Sequence, residues 1–199
     1  MTEVRAPGRS DIAGRREKIL EETLRIVGQR GYNGFGIQEL AERCGLTKPG
    51  LLHHFGSKGQ LLVSLLNEVD GKDEAEVAGL FADELKKATD ASTVRAMFRR
   101  ALRIVAERSV ATPELTRLRV VLRAEALDPR HPAHPYFSER HKVKLERLAK
   151  GAALFSAAPQ SIARQTLAML TGLEEQWLRE DDGFDLLFEW DLFVDRLLG

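Results

Sequence analysis

The sequence predicts an all-α protein of about nine helices, because three features recur along the whole chain. Apolar residues return at three- and four-residue spacing, no stretch alternates in the two-residue rhythm of a half-buried strand, and glycine or proline interrupts the helical runs at intervals. The chain has 199 residues, enough for a substantial core, and its 43% hydrophobic and 30% charged residues fit a globular protein with a well-charged surface.

Each element follows from its own pattern. Residues 1–10 contain Pro7, Gly8 and several charges and read as a flexible arm. From Asp11 a first helix places Ile19, Leu20, Thr23, Ile26 and Val27 on one stripe, and Gly31 stops it. Short helices follow at about 37–44 and 48–54. Ser57 and Gln60 have capping-box spacing, so a longer helix starts after Ser57, weakened by Gly71 and Gly79. Residues 93–109 are cleanly amphipathic, with Val94, Met97, Phe98, Ala101, Leu102 and Val105 on one side. Thr112-Pro113 supplies a cap and a first-turn proline for a helix reaching about Leu127. The stretch DPRHPAHP at 128–135 cannot be a helix interior, since three prolines remove three amide donors. Further helices are expected from Tyr136 to about Ser156, from Pro159 to about Glu180, and from Phe184 to Leu198.

The last helix is apolar nearly all round, with Phe184, Leu186, Leu187, Phe188, Trp190, Leu192, Phe193, Val194, Leu197 and Leu198. Such a helix must be covered on more than one side. The preceding helix shares the problem through Ile162, Leu167, Met169, Leu170, Leu173 and Trp177. Two of these helices from each of two subunits would form a four-helix interface, so a homodimer through residues 159–198 is expected. A monomer with both helices central to a larger core is the alternative.

The stretch IQELAERCGLTKPGLLHHF at 37–55 has helix-turn-helix grammar. Ile37, Leu40 and Ala41 face inward, Gly45 makes the turn, Leu46 fills the angle, and Thr47 caps a second helix whose Leu51, Leu52 and Phe55 can reach the core. Read with REKIL at 16–20, RGY at 30–32 and SKGQLL at 57–62, the order and spacing resemble the TetR family over residues 12–66. Beyond that segment the resemblance rests on helix number and on Trp177 in the penultimate helix. It implies an N-terminal three-helix helix-turn-helix domain at 11–58 and a C-terminal helical ligand-binding and dimerisation domain at 59–199.

The resemblance also implies roles. Thr47 matches the capping Ser/Thr, Lys48 a groove-facing residue, His54 and Phe55 a His-Phe pair, and Lys58 a lysine that meets phosphate. Three positions depart from the pattern. Gly36 replaces a Ser/Thr cap, Leu52-His53 replace a Tyr-Tyr pair, and Pro49-Gly50 leave the leading turn almost without side chains. A phosphate contact made by the second tyrosine must therefore come from His53 or be missing. The expected DNA-binding set is Thr47, Lys48, Pro49, Gly50, Leu51, His53, His54 and Lys58. Lys48 can donate to guanine O6/N7, and Thr47 can bond a base or a phosphate. Small residues at 49 and 50 let the backbone approach the groove, which gives shape and methyl contacts weight. Lys58 and first-turn amides can share one phosphate. His53 and His54 read alternatively as an idle surface pair, and Arg5 and Arg9 as either a minor-groove arm or a plain tail. Residues 1–58 carry ten Lys/Arg against seven acids, a mild cationic head on a chain of zero net charge.

In the body, Leu115, Leu118, Leu122 and Glu125 share one helix face, and Phe137, His141, Leu148, Ala152 and Phe155 another. Glu125 and His141 are ionisable residues on apolar stripes and need partners. They either pair with each other or with arginine, or orient a small effector in a pocket with Phe98, Leu102, Leu118, Leu122 and Trp177. On the second reading Glu125→Ala changes effector response but not the DNA affinity of the free protein. The resemblance implies an unidentified effector, and a repressor over an activator.

Other classes lack support. GYNGFG at 31–36 misses the third glycine of a dinucleotide loop and follows no strand, and there is no HExxH or GxSxG, so no enzyme and no cofactor are expected. Glu174-Glu175 reads as solvated helix surface. His131, His134 and His141 lack metal-site geometry, and the single Cys44 reads as a small core residue. No run nears the roughly 18 apolar residues of a membrane span, and MTEVRAPGRSD lacks a signal-peptide stretch, so the expected location is cytoplasmic. A protein-interaction module with a non-binding helix-turn-helix head is the alternative function.

Overall fold

The computed structural model describes residues 9–71, 90–180 and 183–199, with side chains from residue 14 onward. Every regular element among them is a helix: α1 (Arg9–Arg30), α2 (Ile37–Arg43), α3 (Lys48–Phe55), α4 (58–71), α5 (Ala91–Ala111), α6 (Pro113–Glu125), α7 (His134–Ala152), α8 (Pro159–Arg179) and α9 (Leu186–Leu198). The expectations for Arg5, for the Arg9 side chain and for Gly79 lie outside the described residues. No helix among the described residues is long and apolar enough to cross a membrane.

Local chemistry explains where the helices differ from expectation. α9 starts at Leu186, two residues late, because the Asp185 carboxylate accepts the amides of Leu187 and Phe188 at 2.9 and 3.1 Å. α7 starts early, at His134, since Pro135 fits the first turn, where no amide donor is needed. Thr112 does not cap α6 with its side chain. Its hydroxyl donates back to Arg108 O at 2.9 Å while its carbonyl accepts Thr116 N at 3.0 Å, so one residue ends α5 and begins α6. The Thr116 hydroxyl then donates to Ser109 O at 2.8 Å, closing the corner.

Two apolar cores organise these helices. The first joins α1–α4 to α6 and the start of α7, with Ile19, Ile26, Leu40, Leu51, Leu61 and Leu62 packed beside Leu118 and Leu122. Thr23 lies on the buried stripe of α1 and donates to Ile19 O at 2.6 Å, which satisfies its hydroxyl inside the helix. The second core joins α5, α8 and α9 with the end of α7, around Leu102, Ala152, Ile162, Trp177, Trp190 and Val194. Burying side chains of this size stabilises by about 1.5–3 kcal/mol each before entropy is subtracted.

Two polar clusters stitch the layers. Glu174 is not solvated surface. It is 6% exposed and accepts from Ser109 Oγ at 2.7 Å and from an Arg123 amino group at 2.7 Å, because its α8 position faces α5 and α6. Glu175, one residue on, points outward and pairs with Arg179. Asp70 is also buried. Arg119 reaches one of its oxygens at 2.7 Å, Arg140 the other at 2.8 Å, and the Tyr136 hydroxyl donates to it too. Burial alone would raise this carboxyl, but the flanking guanidiniums and the phenol hold it below the usual carboxylate range. The cluster ties α4 to α6 and α7.

Candidate nucleic-acid interface

The head is assembled around two left-handed glycines. Gly31 (φ 70°) ends α1, with its amide on Val27 O at 2.8 Å, and a Cβ there would lie 2.4 Å from Glu125 Oε1. The next amide, of Tyr32, donates to Glu125 Oε2 at 2.9 Å. Thus the end of α6 is fastened to the turn that leaves α1. Gly45 (φ 68°) turns α2 into α3, a conformation costly for any residue with a Cβ. Gly36 caps α2 without a side-chain bond, as its identity dictates. Cys44 is buried at the C-cap of α2, and burial raises its thiol pKa.

α3 is short and strongly sided. Thr47 Oγ1 accepts the Gly50 amide at 3.2 Å, and Pro49 occupies the first turn. Leu51 and Phe55, one turn apart, enter the first core. Leu51 is fully buried and so leaves the expected DNA-facing set: it shares the inward stripe with Phe55, and exposing it would open the head core. The outward side carries Thr47, Lys48, Pro49 and His53, all exposed, with Gly50 and His54 half-buried. The His53 and His54 rings meet edge-on at 6.1 Å.

Lys58 lies in the first turn of α4, which Ser57 caps through the Gln60 amide at 3.1 Å. Its ammonium lies 4.4 Å from the ring centroids of both Tyr32 and Phe35. Burial lowers its pKa, and nearby Glu125 partly offsets this. The lysine therefore rests on aromatic faces, a cation–π arrangement that holds the charge without a carboxylate bond. It opens onto a depression of about 990 Å³ lined also by His54, Ser57, Gln60 and Pro132.

The residues expected to share an effector pocket are divided by the structure. Leu118 and Leu122 belong to the first core, whereas Leu102 and Trp177 belong to the second with Phe98 against them. Glu125 faces Tyr32, Lys58 and His131, and His141 is exposed, so the Glu125–His141 pair does not form. The reason is the proline-rich 128–135 turn, which places His131, not His141, beside Glu125 at 3.7 Å. Sequence reasoning missed the partners of Asp70 and Glu174. A usable signal existed for the first: Asp70 follows Leu62, Leu65, Leu66 and Val69 on an apolar stripe. No group of three or more His, Cys, Asp or Glu side chains among the described residues is placed to hold a metal.

A short, sided α3, a glycine-made turn before it and a helical body together define a helix-turn-helix fold. Residues 19–65 match the family model "Bacterial regulatory proteins, tetR family". The regulator BetI of Rhizobium meliloti is 34% identical over 88 residues, which are 43% of this chain and 42% of BetI. The chain matches under half the length of the curated relatives YuxN and BetI. A TetR-family regulator from Rhodococcus sp. has the same fold, with a TM-score of 0.71 and 21% identity over 94% of this chain and 100% of that one. AibR, solved in complex with isovaleryl coenzyme A and operator DNA, superposes with a TM-score of 0.62 and 22% identity over 92% and 98% of the two chains.

Proposed function

We propose that this protein is a sequence-specific DNA-binding transcriptional regulator, a homodimeric repressor released from a palindromic operator by a small-molecule effector. The observation that carries the reading is the sidedness of α3: Leu51 and Phe55 lock its inner face while Thr47, Lys48, Pro49 and His53 are exposed at its outer one. A helix presented in this way can lay its N-terminal residues in the major groove, with Lys48 toward base edges. Residues 11–58 form the head and 59–199 the effector-binding and dimerising body. The complex of AibR with isovaleryl coenzyme A and operator DNA supports both partners on this fold. Support for pairing comes from Met169 on α8 and Phe188 and Leu192 on α9, three large apolar side chains exposed on a single subunit. We assign it no catalytic role, as its relatives are regulators, and place it in the cytoplasm with the DNA it reads.

Selection of bound fragments from the organism's own genomic DNA tests the reading. The expected product is a palindrome with half-sites roughly 34 Å apart, or a multiple of that. Recovery of unrelated fragments, bound equally by the Lys48→Ala variant, would favour the alternative of a head that mediates protein contacts.

A further inference from the structure

Where the body meets the head, two basic side chains share one carboxylate. Glu125, at the end of α6, lies against the turn that leaves α1, and Tyr32 of that turn is the common wall. The Tyr32 amide donates to Glu125 Oε2 at 2.9 Å. The His131 ring meets the Tyr32 ring edge-on at 4.9 Å, and the Lys58 ammonium lies 4.4 Å from the centroid of the same ring. The 128–135 turn that carries His131 also sits on the start of α4: a Cβ at Gly59, next to Lys58, would lie 3.0 Å from Pro132. Glu125 thus has Lys58 from α4 and His131 from the turn as its basic neighbours.

The surroundings of His131 favour its neutral form. Its side chain is only 5% exposed. The Ala133 amide donates to Nδ1 at 3.2 Å, so the proton of the neutral ring is on Nε2. Nε2 is buried without a hydrogen-bond partner and faces Glu125 Oε2 at 3.7 Å, too far for a bond. A second proton has to go to Nδ1, where it displaces the Ala133 amide. The charged ring then has one carboxylate to turn to. Asp128 acts on it from the same turn but is held by Arg130 at 2.8 and 3.0 Å. The ring of His134, also near Asp128, is engaged through Nδ1 with Ala126 O at 2.8 Å. Glu125 is therefore the acceptor open to an imidazolium and the counter-charge of Lys58 at once, and favouring one cation weakens its hold on the other.

We propose that His131 and Lys58 compete for Glu125, so that DNA binding, which draws Lys58 off its rings to a phosphate, leaves Glu125 to a protonated His131 and tightens as the pH falls. This rests on the DNA-binding reading above and adds a proton to it. His131 is a positioning residue, acting on Lys58 through Glu125. By linkage, a complex that holds the proton more firmly gains affinity as the pH drops from the ring's value in the complex to its lower value in the free protein, and gains nothing further below that.

Two measurements on the full-length protein test the proposal. NMR titration of the His131 ring without DNA should give a higher midpoint in Lys58→Met than in the wild type, and a lower one in Glu125→Gln. A midpoint unmoved by Lys58→Met overturns the competition. Operator affinity is then compared at pH 7.5 and pH 6, at one salt concentration, with a fragment from the genomic selection as probe. Over this step the wild type should gain at least about threefold more affinity than His131→Gln, within the limit of about tenfold per pH unit for each proton taken up. His53 and His54 of α3 remain in both proteins, so their own titration cancels in the comparison. Equal gains overturn the proposal. Should His131→Gln fail to fold, Lys58→Met replaces it, since removing either competitor should remove the same part of the gain. A protein that binds no fragment at either pH sinks the regulator reading, and the ring titration then judges the competition for Glu125 by itself.

Discussion

The carboxylate of Glu125, at the last residue of α6, accepts the backbone amide of Tyr32 at 2.9 Å across 93 residues of chain. It also lies against Gly31, where a Cβ would come within 2.4 Å of Oε1. A residue of the body thereby closes the stop signal of the first helix of the head. Glu125→Ala leaves a part-buried amide without its acceptor and should lower stability by about 1–2 kcal/mol, with Glu125→Gln retaining most of it. Gly31→Ala should cost at least as much, since it adds left-handed strain to the clash. Urea unfolding of the three variants checks this. An unchanged midpoint for Glu125→Ala would show that water replaces the carboxylate and that the body does not hold the head here.

Lys48 and Lys58 should fail differently. Lys48→Ala is expected to cost about 1–3 kcal/mol of operator affinity and to relax base preference at one position per half-site. Lys58→Ala should weaken all sequences alike and lower the salt slope by about one per subunit. For Lys58 to reach a phosphate it must leave the faces of Tyr32 and Phe35, each 4.4 Å away without DNA. A salt slope untouched by Lys58→Ala would mean that the lysine stays on those rings in the complex.

His131 makes the joint acid-sensitive. It is 8% exposed, its Nδ1 accepts the Ala133 amide at 3.2 Å, and its ring meets Tyr32 edge-on at 4.9 Å. Burial lowers its pKa from the ordinary 6.5, against the opposing pull of Glu125 and Asp128. With the folded-state pKa depressed, the unfolded chain takes the proton first. Stability is therefore whole above pH 6.5, falls as the pH drops from 6.5 to the folded-state value, and levels off below it. Thermal melts between pH 7.5 and 5 should show this loss in the wild type and a shallower one in His131→Phe. Parallel curves would assign the acid sensitivity to other groups.

The exposed apolar side chains of the last two helices set a fourth expectation. Phe188 is 57% exposed on the single subunit, and Leu192, one turn on, is 37% exposed. Phe188→Asp should shift the protein from dimer to monomer in sedimentation equilibrium at micromolar concentration and should weaken operator binding with it. A variant that stays dimeric would move the interface off this face of α9.

The helices, their order and the inward stripes were legible because each rests on local chemistry: the Ile19–Val27 stripe, the Gly31 and Gly45 turns, the Thr47 and Ser57 caps. What the sequence hid is pairing between distant helices. Glu125 looked like a partner for His141 because both sit on apolar stripes, but the 128–135 turn decides which histidine arrives, and turn geometry is not written in periodicity. Glu174 and Glu175 look alike in sequence, yet a 100° step around α8 puts one in the core and the other in solvent. Leu51 was legible twice over, as a core residue and as a groove residue, and its position one turn before Phe55 decides for the core.

Thr112 has a mechanical consequence. With its hydroxyl on the last turn of α5 and its carbonyl on the first turn of α6, the corner between those helices contains no slack. Glu174 of α8 joins Ser109, near the end of α5, to Arg123, near the far end of α6. These three helices are therefore expected to shift as one piece, and any such shift reaches the Gly31–Tyr32 turn at the end of α1 through Glu125.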